Sequence, residues 1–225
     1  MSVAPVISAI RDGLRDSADA ERAPGMQAYM KSSMPYLGVP LPAVRALARA
    51  AARTHPLLTL DELQTAVRTL WDEAAFREER YAASELLARP LGAGRLELVP
   101  LYEHVATTGA WWDHVDDLAH RIADLHDAHP VEAAAIVRRW STDDDRWLRR
   151  LAIISQLGRR DRLDPDLLAA VIEPNIADRE FFIRKAIGWA LREHARADPD
   201  WVRAYVEDHP ELSNLSRREA LKHLA

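Results

Sequence analysis

Residues 111–116 read Trp-Trp-Asp-His-Val-Asp. Tryptophan is best buried, and a carboxylate is costly to bury without a partner. On a helix, residues four apart share a face, so Trp112 lies over Asp116, with His120 one turn further on. Trp111 sits about 100° round the helix from Trp112 and pairs with Val115, Leu118 and Ile122 in an apolar stripe. Two later stretches are split in the same way. Ile183, Ala186, Ile187, Ala190 and Leu191 form an apolar stripe, while Lys185, Trp189, Arg192 and Arg196 form a cationic one with a single aromatic in it. Trp147, Leu151, Ile154 and Leu157 point inward, with Arg146 and Arg150 at their edge.

Brought together, these residues place one carboxylate between two aromatics, flanked by cations. Cations at such a place grip phosphates and position a nucleic-acid backbone without reading its sequence. A carboxylate repels phosphates, so its use there would be to stabilise positive charge developing on a sugar. Spacing alone leaves a plainer alternative open. Both tryptophans would then be partly buried core residues, and Asp116 would pair with His120 or a neighbouring arginine.

The elements that must position these residues read as helices. Period-two alternation is scarce, whereas helical spacing recurs, as in Leu63, Val67, Leu70 and Trp71. Prolines 35, 40, 42, 56, 90, 100, 130, 165, 174, 199 and 210 fall between the periodic segments, where they can start or end helices. The segments 80–87, 114–121, 150–157, 185–192 and 219–225 share one pattern, a polar opening residue followed by an amphipathic helix. Their second residues, Tyr81, Val115, Leu151, Ala186 and Ala220, are separated by 34, 36, 35 and 34 positions. So regular a period is the signature of a helical solenoid, in which helix pairs stack because one pair cannot bury its apolar face alone. The expected fold is all-α, a curved solenoid of antiparallel helix pairs with a period of about 35 residues. The opening residues Arg80, His114, Arg150 and Lys185 would form one cationic row suited to a polyanion. Solvated helix starts paired with nearby acids are the rival explanation of that row.

Composition bounds the function. The 225 residues suit one large domain or two small ones, and the solenoid reading makes 1–225 a single domain. The net charge is −5, which does not announce a nucleic-acid binder. It is uneven, however: residues 136–225 carry 17 basic and 16 acidic residues, so the acidic excess lies in the first part. There is no cysteine, hence no disulfide framework, thiolate metal site or thiol nucleophile. The first 30 residues carry charges throughout and show no signal peptide or membrane span, so a cytoplasmic protein is expected. No phosphate-binding glycine loop or HExxH appears. Only His126 and His129 have a ligand-like separation, so neither a metal nor another cofactor is expected.

At this point the chain resembles a known family, the bacterial DNA alkylation-repair glycosylases built from HEAT-like repeats, of the AlkD type. The similar stretches are MQAYMKSSMPYLGVPLPAVR (26–45), LWDEAAFREERYAASELL (70–87), WWDHVDDLA (111–119), RWLRRLAIISQL (146–157), EFFIRKAIGWALREHAR (180–196) and LSRREALKHL (215–224). They run in the family's order and cover most of the chain from about residue 26. The resemblance implies excision of purines made cationic by alkylation at N3 or N7, from duplex DNA held on a concave face, without the base flipping common in glycosylases. It carries the family's catalytic positions onto Trp112, Asp116 and Trp189, and its backbone contacts onto Arg150 and Tyr29. Cations in the same stretches, Lys31, Lys185, Arg192, Arg217, Arg218 and Lys222, join the expected DNA contacts. The implied partner is double-stranded DNA containing alkylated purines, with no membrane and no metal, bound by a monomer near the bacterial nucleoid. His194 departs from the family, which often has an aromatic there. A non-catalytic module for damaged or branched DNA, and a protein–protein scaffold, are the alternatives.

Overall fold

Prolines mark where the helices begin, because their fixed φ suits the first turn and their missing N–H is not needed there. The computed structural model describes residues 2–224. Its helices are α1 (Ala4–Asp16), α2 (Ala23–Met30), α3 (Leu41–Thr54), α4 (Leu60–Asp72), α5 (Arg77–Leu87), α6 (Val99–Gly109), α7 (Trp112–Ala128), α8 (Pro130–Trp140), α9 (Arg146–Ile154), α10 (Pro165–Ile172), α11 (Phe181–His194), α12 (Pro199–Asp208) and α13 (Asn214–Ala220). Pro42, Pro100, Pro130, Pro165 and Pro199 stand in first turns. Pro90 and Pro174 stand in short 3-10 turns, and prolines 35, 40, 56 and 210 lie in connections. No strand occurs among the described residues. Side chains also cap several starts, α10 and α12 among them. Thr59 forms a reciprocal capping box with Glu62, and Asp145, Asp164, Asp198 and Ser213 accept first-turn N–H groups.

Segments 80–87, 114–121 and 185–192 lie within α5, α7 and α11, whereas 150–157 runs past the end of α9 and only Glu219 and Ala220 of the last segment lie in α13, whose helix gives way to turn at Leu221. Ala225, at the end of the last segment, lies outside the described residues. The chain divides into two compact units, Met1–Ala93 and Gly94–Ala225.

In the first unit α1 packs on α3 and α3 on α5, while α4 covers α1 and α5. Leu63, Val67, Leu70 and Trp71 are all buried, as their spacing predicts. The start of α5 is buried despite its charges. The Glu78 carboxylate accepts the backbone N–H groups of Leu37, Gly38 and Val39 at 2.8 to 3.2 Å. Gly38 has φ +86, and a Cβ there would stand 2.2 Å from the Asp19 carbonyl oxygen, so the loop that Glu78 holds requires glycine.

In the second unit α7, α9, α11 and α13 pack in sequence, each on the next, and α6, α8, α10 and α12 lie against them. The predicted stripes are the core: Val115, Leu118 and Ile122 of α7, Trp147, Leu151 and Ile154 of α9, and Ile183, Ala186, Ile187, Ala190 and Leu191 of α11 are all buried. Helix α9 touches both α7 and α11 and is buried on most sides. Gly188 allows α13 to approach α11, because a Cβ there would stand 2.5 Å from the Glu219 Cβ and 2.9 Å from the Ser216 carbonyl oxygen. The Ser216 hydroxyl donates to the Arg184 carbonyl at 2.9 Å, which fixes the same contact.

Candidate active site

The site residues lie on three successive packed helices, with Trp112 and Asp116 early in α7, Arg150 midway along α9 and Trp189 in the second half of α11. Ala110 ends α6 in a left-handed conformation (φ +42), Trp111 is extended, and α7 begins at Trp112. Trp111 is therefore the residue before the helix rather than the first of its core stripe. Its ring meets Trp147 at 6.1 Å and Phe182 at 5.3 Å, and Trp147 meets Phe182 at 5.1 Å. This aromatic cluster ties the three helix starts together.

Beside it, Asp116 and Arg150 form a two-pronged ion pair. Arg150 Nε donates to Asp116 Oδ1 and Nη2 to Oδ2, each at 2.8 Å. A third nitrogen, Nη1, donates to the Phe182 carbonyl at 2.6 Å. The fork matches a carboxylate in both geometry and charge. Of the partners left open by spacing, Asp116 takes the arginine, and His120 stays exposed. The Arg150 side chain is 4% exposed and that of Asp116 18%, so the cation is the deeper of the two and the carboxylate the nearer to solvent. Burial pushes the Asp116 carboxyl above its ordinary value, and the Arg150 pair opposes that rise.

This geometry revises the expected row of cations. Arg150 is turned to Asp116 and Phe182 rather than outward to a phosphate, and His114 is 1% exposed. Arg80 lies over the Trp71 ring at 4.8 Å and donates to the Trp71 carbonyl. Arg80, His114 and Arg150 are thus taken up in the packing instead of forming a row in solvent. Lys185 keeps more surface, yet its ammonium is 2.6 Å from Glu219, and Arg192 pairs with the same carboxylate. These two partners hold the Glu219 carboxyl below its ordinary value, with the Lys185 contact first and burial opposing.

Trp112 and Trp189 are half-buried, and Trp189 packs against the core of the second unit. Arg217 donates to the His209 carbonyl at 2.7 Å and to that of Leu212 at 3.4 Å, so its head is partly committed inside. Arg218 and Lys222 keep surface in solvent. In the first unit Tyr29 is 77% exposed, and Lys31 follows α2 in a left-handed conformation with its side chain in solvent. Sequence reasoning misses Phe182 and Glu219. A signal for Glu219 is present, since it opens the repeat after Lys185, one period of 34 residues on. His194 is buried, its ring 5.0 Å from Trp201 and edge-on to it.

An all-helical repeat protein with a partly exposed carboxylate on α7, backed by an arginine from α9, is the class that fold and site define. The chain belongs to the DNA alkylation repair enzyme family, whose model matches residues 10–224. A solved structure, the predicted DNA alkylation repair enzyme from Enterococcus faecalis, is similar at 30% identity and a TM-score of 0.83, over 93% of this chain and 97% of that one. The Pseudomonas fluorescens alkylpurine DNA glycosylase AlkC, bound to DNA containing an abasic site analog, matches at 21% identity and a TM-score of 0.46, over 99% of this chain and 63% of that one. No curated protein sequence matches the chain.

Proposed function

We propose that the protein is a DNA glycosylase that removes purines made cationic by alkylation at N3 or N7 from duplex DNA. The observation that carries this reading is the Asp116 carboxylate, held on two oxygens by Arg150 and more exposed than its partner. Membership of an alkylation-repair family supports it.

A cationic purine needs no general acid to leave. The C1′–N bond breaks, the electron pair goes to the base, and the base departs neutral. The sugar is left oxocarbenium-like. Asp116, with its counter-ion behind it, stabilises that charge and orients the attacking water, which passes one proton to solvent as the C1′–O bond forms. Trp112 and Trp189 supply ring faces that attract the cation and keep other water away. Arg150 fixes the direction of the carboxylate. Arg218 and Lys222, together with Lys185 and Arg192 once released from Glu219, hold phosphates of the DNA backbone. Tyr29 and Lys31 are further DNA contacts in this reading, and Arg217 adds charge nearby. The protein acts as a monomer in the cytoplasm. Among the described residues no helix is long and apolar enough to cross a membrane.

Incubation of the purified protein with methylated duplex DNA, followed by chromatography of the released bases, tests the reading. Release of 3-methyladenine or 7-methylguanine is expected. Salt-dependent DNA binding without release would favour a non-catalytic DNA-binding module, and absence of both would favour a protein scaffold.

A further inference from the structure

Helix α7 carries Trp112, Asp116 and His120 on one face, and the connection between α9 and α10 comes close to the His120 end of that face. A Cβ placed on Gly158 would stand 3.7 Å from the His120 ring, so this connection adjoins the site face one turn beyond Asp116. One turn is about 6 Å of helix. The connection is basic, with Arg159, Arg160 and Arg162 around Asp161.

It is also firmly held. Gln156 is 3% exposed; its amide nitrogen donates to the Asp164 carbonyl and its oxygen accepts from the Asp164 N–H, each at 2.8 Å. The same oxygen accepts from Arg159 Nη1 at 2.8 Å. Arg159 and Arg162 both pair with Asp127, near the end of α7. Between these two anchored arginines stands Arg160, exposed, in a left-handed conformation (φ +55) and without an ion pair among the described residues. Left-handed backbone costs a side-chain-bearing residue about 1 kcal/mol or more, and glycine avoids that cost.

We propose that Arg160 is a phosphate-holding residue, presented to the DNA strand by an anchored loop at residues 158–163. The ligand is a backbone phosphate within a few nucleotides of the sugar that meets Asp116, at ~3.4 Å of helix axis per nucleotide. Arg159 and Arg162 are consumed by Asp127 and position the loop, which leaves the Arg160 guanidinium as the free donor. Its side chain is exposed to solvent. The proposal rests on the DNA-binding reading above and assigns a contact that the sequence motifs did not include.

The test is binding of a labelled duplex containing a tetrahydrofuran abasic site, measured by anisotropy over a range of salt concentrations. Arg160→Gly and Arg160→Ala are expected to weaken binding roughly two- to fivefold, the scale of one exposed ion pair, and to flatten the log–log salt slope by about 0.9, the loss of one phosphate. Arg160→Lys keeps the charge and should retain the slope. Arg160→Gly should hold Tm within about 2 °C, because relief of the left-handed backbone offsets the extra chain entropy of glycine. Wild-type affinity and slope in both the Gly and Ala variants would overturn the assignment while leaving the glycosylase reading intact. No salt-dependent duplex binding by the wild-type protein would overturn both.

Discussion

Arg150 reaches across from α9 to the Asp116 carboxylate on α7, 34 residues earlier, and covers both of its oxygens from the buried side. The pair is electrically neutral as a unit, yet only the acid faces outward. Replacing Asp116 by Asn keeps the shape and removes the charge. Excision of 7-methylguanine in single turnover should fall roughly 10²-fold or more, the usual loss for one electrostatic stabiliser, with duplex affinity nearly unchanged. A near-wild-type rate would remove Asp116 from the chemistry.

Arg150→Ala leaves a largely buried carboxylate without its partner. Destabilisation of about 3 kcal/mol is expected by urea unfolding, at the low end for a broken buried pair because Asp116 keeps some contact with solvent. Excision should fall as well, because the carboxylate loses its direction. The salt slope of DNA binding should stay the same, since the guanidinium faces inward. A flatter slope would show that Arg150 does reach a phosphate.

The excision rate should fall on the acid side at a higher pH than for an ordinary aspartate. In the proposed mechanism catalysis needs the ionised carboxylate, and burial raises the folded value above 3.8. The sign for stability is opposite. The fold favours the neutral acid, so this contribution is full below the ordinary value and is lost as pH rises through the raised one. Rates measured between about pH 4 and 7 locate the limb. Arg150→Lys, which loses the fork, should move the limb further up, and an unmoved limb would show that the second prong does not set the titration.

Glu219→Gln releases Lys185 and Arg192 from a shared carboxylate. Duplex affinity should rise roughly threefold or more, with a steeper salt slope, because up to two more cations are free for phosphates. Tm should drop as α13 loses its latch on α11. Unchanged affinity would make Lys185 and Arg192 purely structural.

Much of the architecture is legible in the sequence, and the limits are physical. Apolar positions at helical spacing reveal α4, α7, α9 and α11 because burial enforces that spacing directly. The period of the repeat orders those of them that carry it. Polar residues follow a different rule that single segments do not show. Arg150 pairs with Asp116, Lys185 with Glu219, and Arg146 with Glu180, each across 34 residues. Across the same interval Asn175 donates to the Ser141 carbonyl. Opposite charges one period apart are therefore a readable signal, whereas a cationic row follows only from comparing each repeat with the next by likeness. Helical phase assigns Trp111 to a helix that begins one residue later, since no side-chain cap marks the boundary. The Phe182 carbonyl, which takes the third Arg150 donor, is a main-chain atom and leaves no trace in residue type.

Helix α9 lies between α7 and α11 and is buried over most of its surface. In a stack where each layer leans only on its neighbours, terminal layers fray first and an interior layer opens only with those beside it. Amide hydrogens of α9 should thus exchange with solvent among the slowest in the second unit, later than those of α13. The residue that aims the carboxylate sits in that slow-exchanging layer, so its orientation survives fluctuations that loosen the C-terminal end.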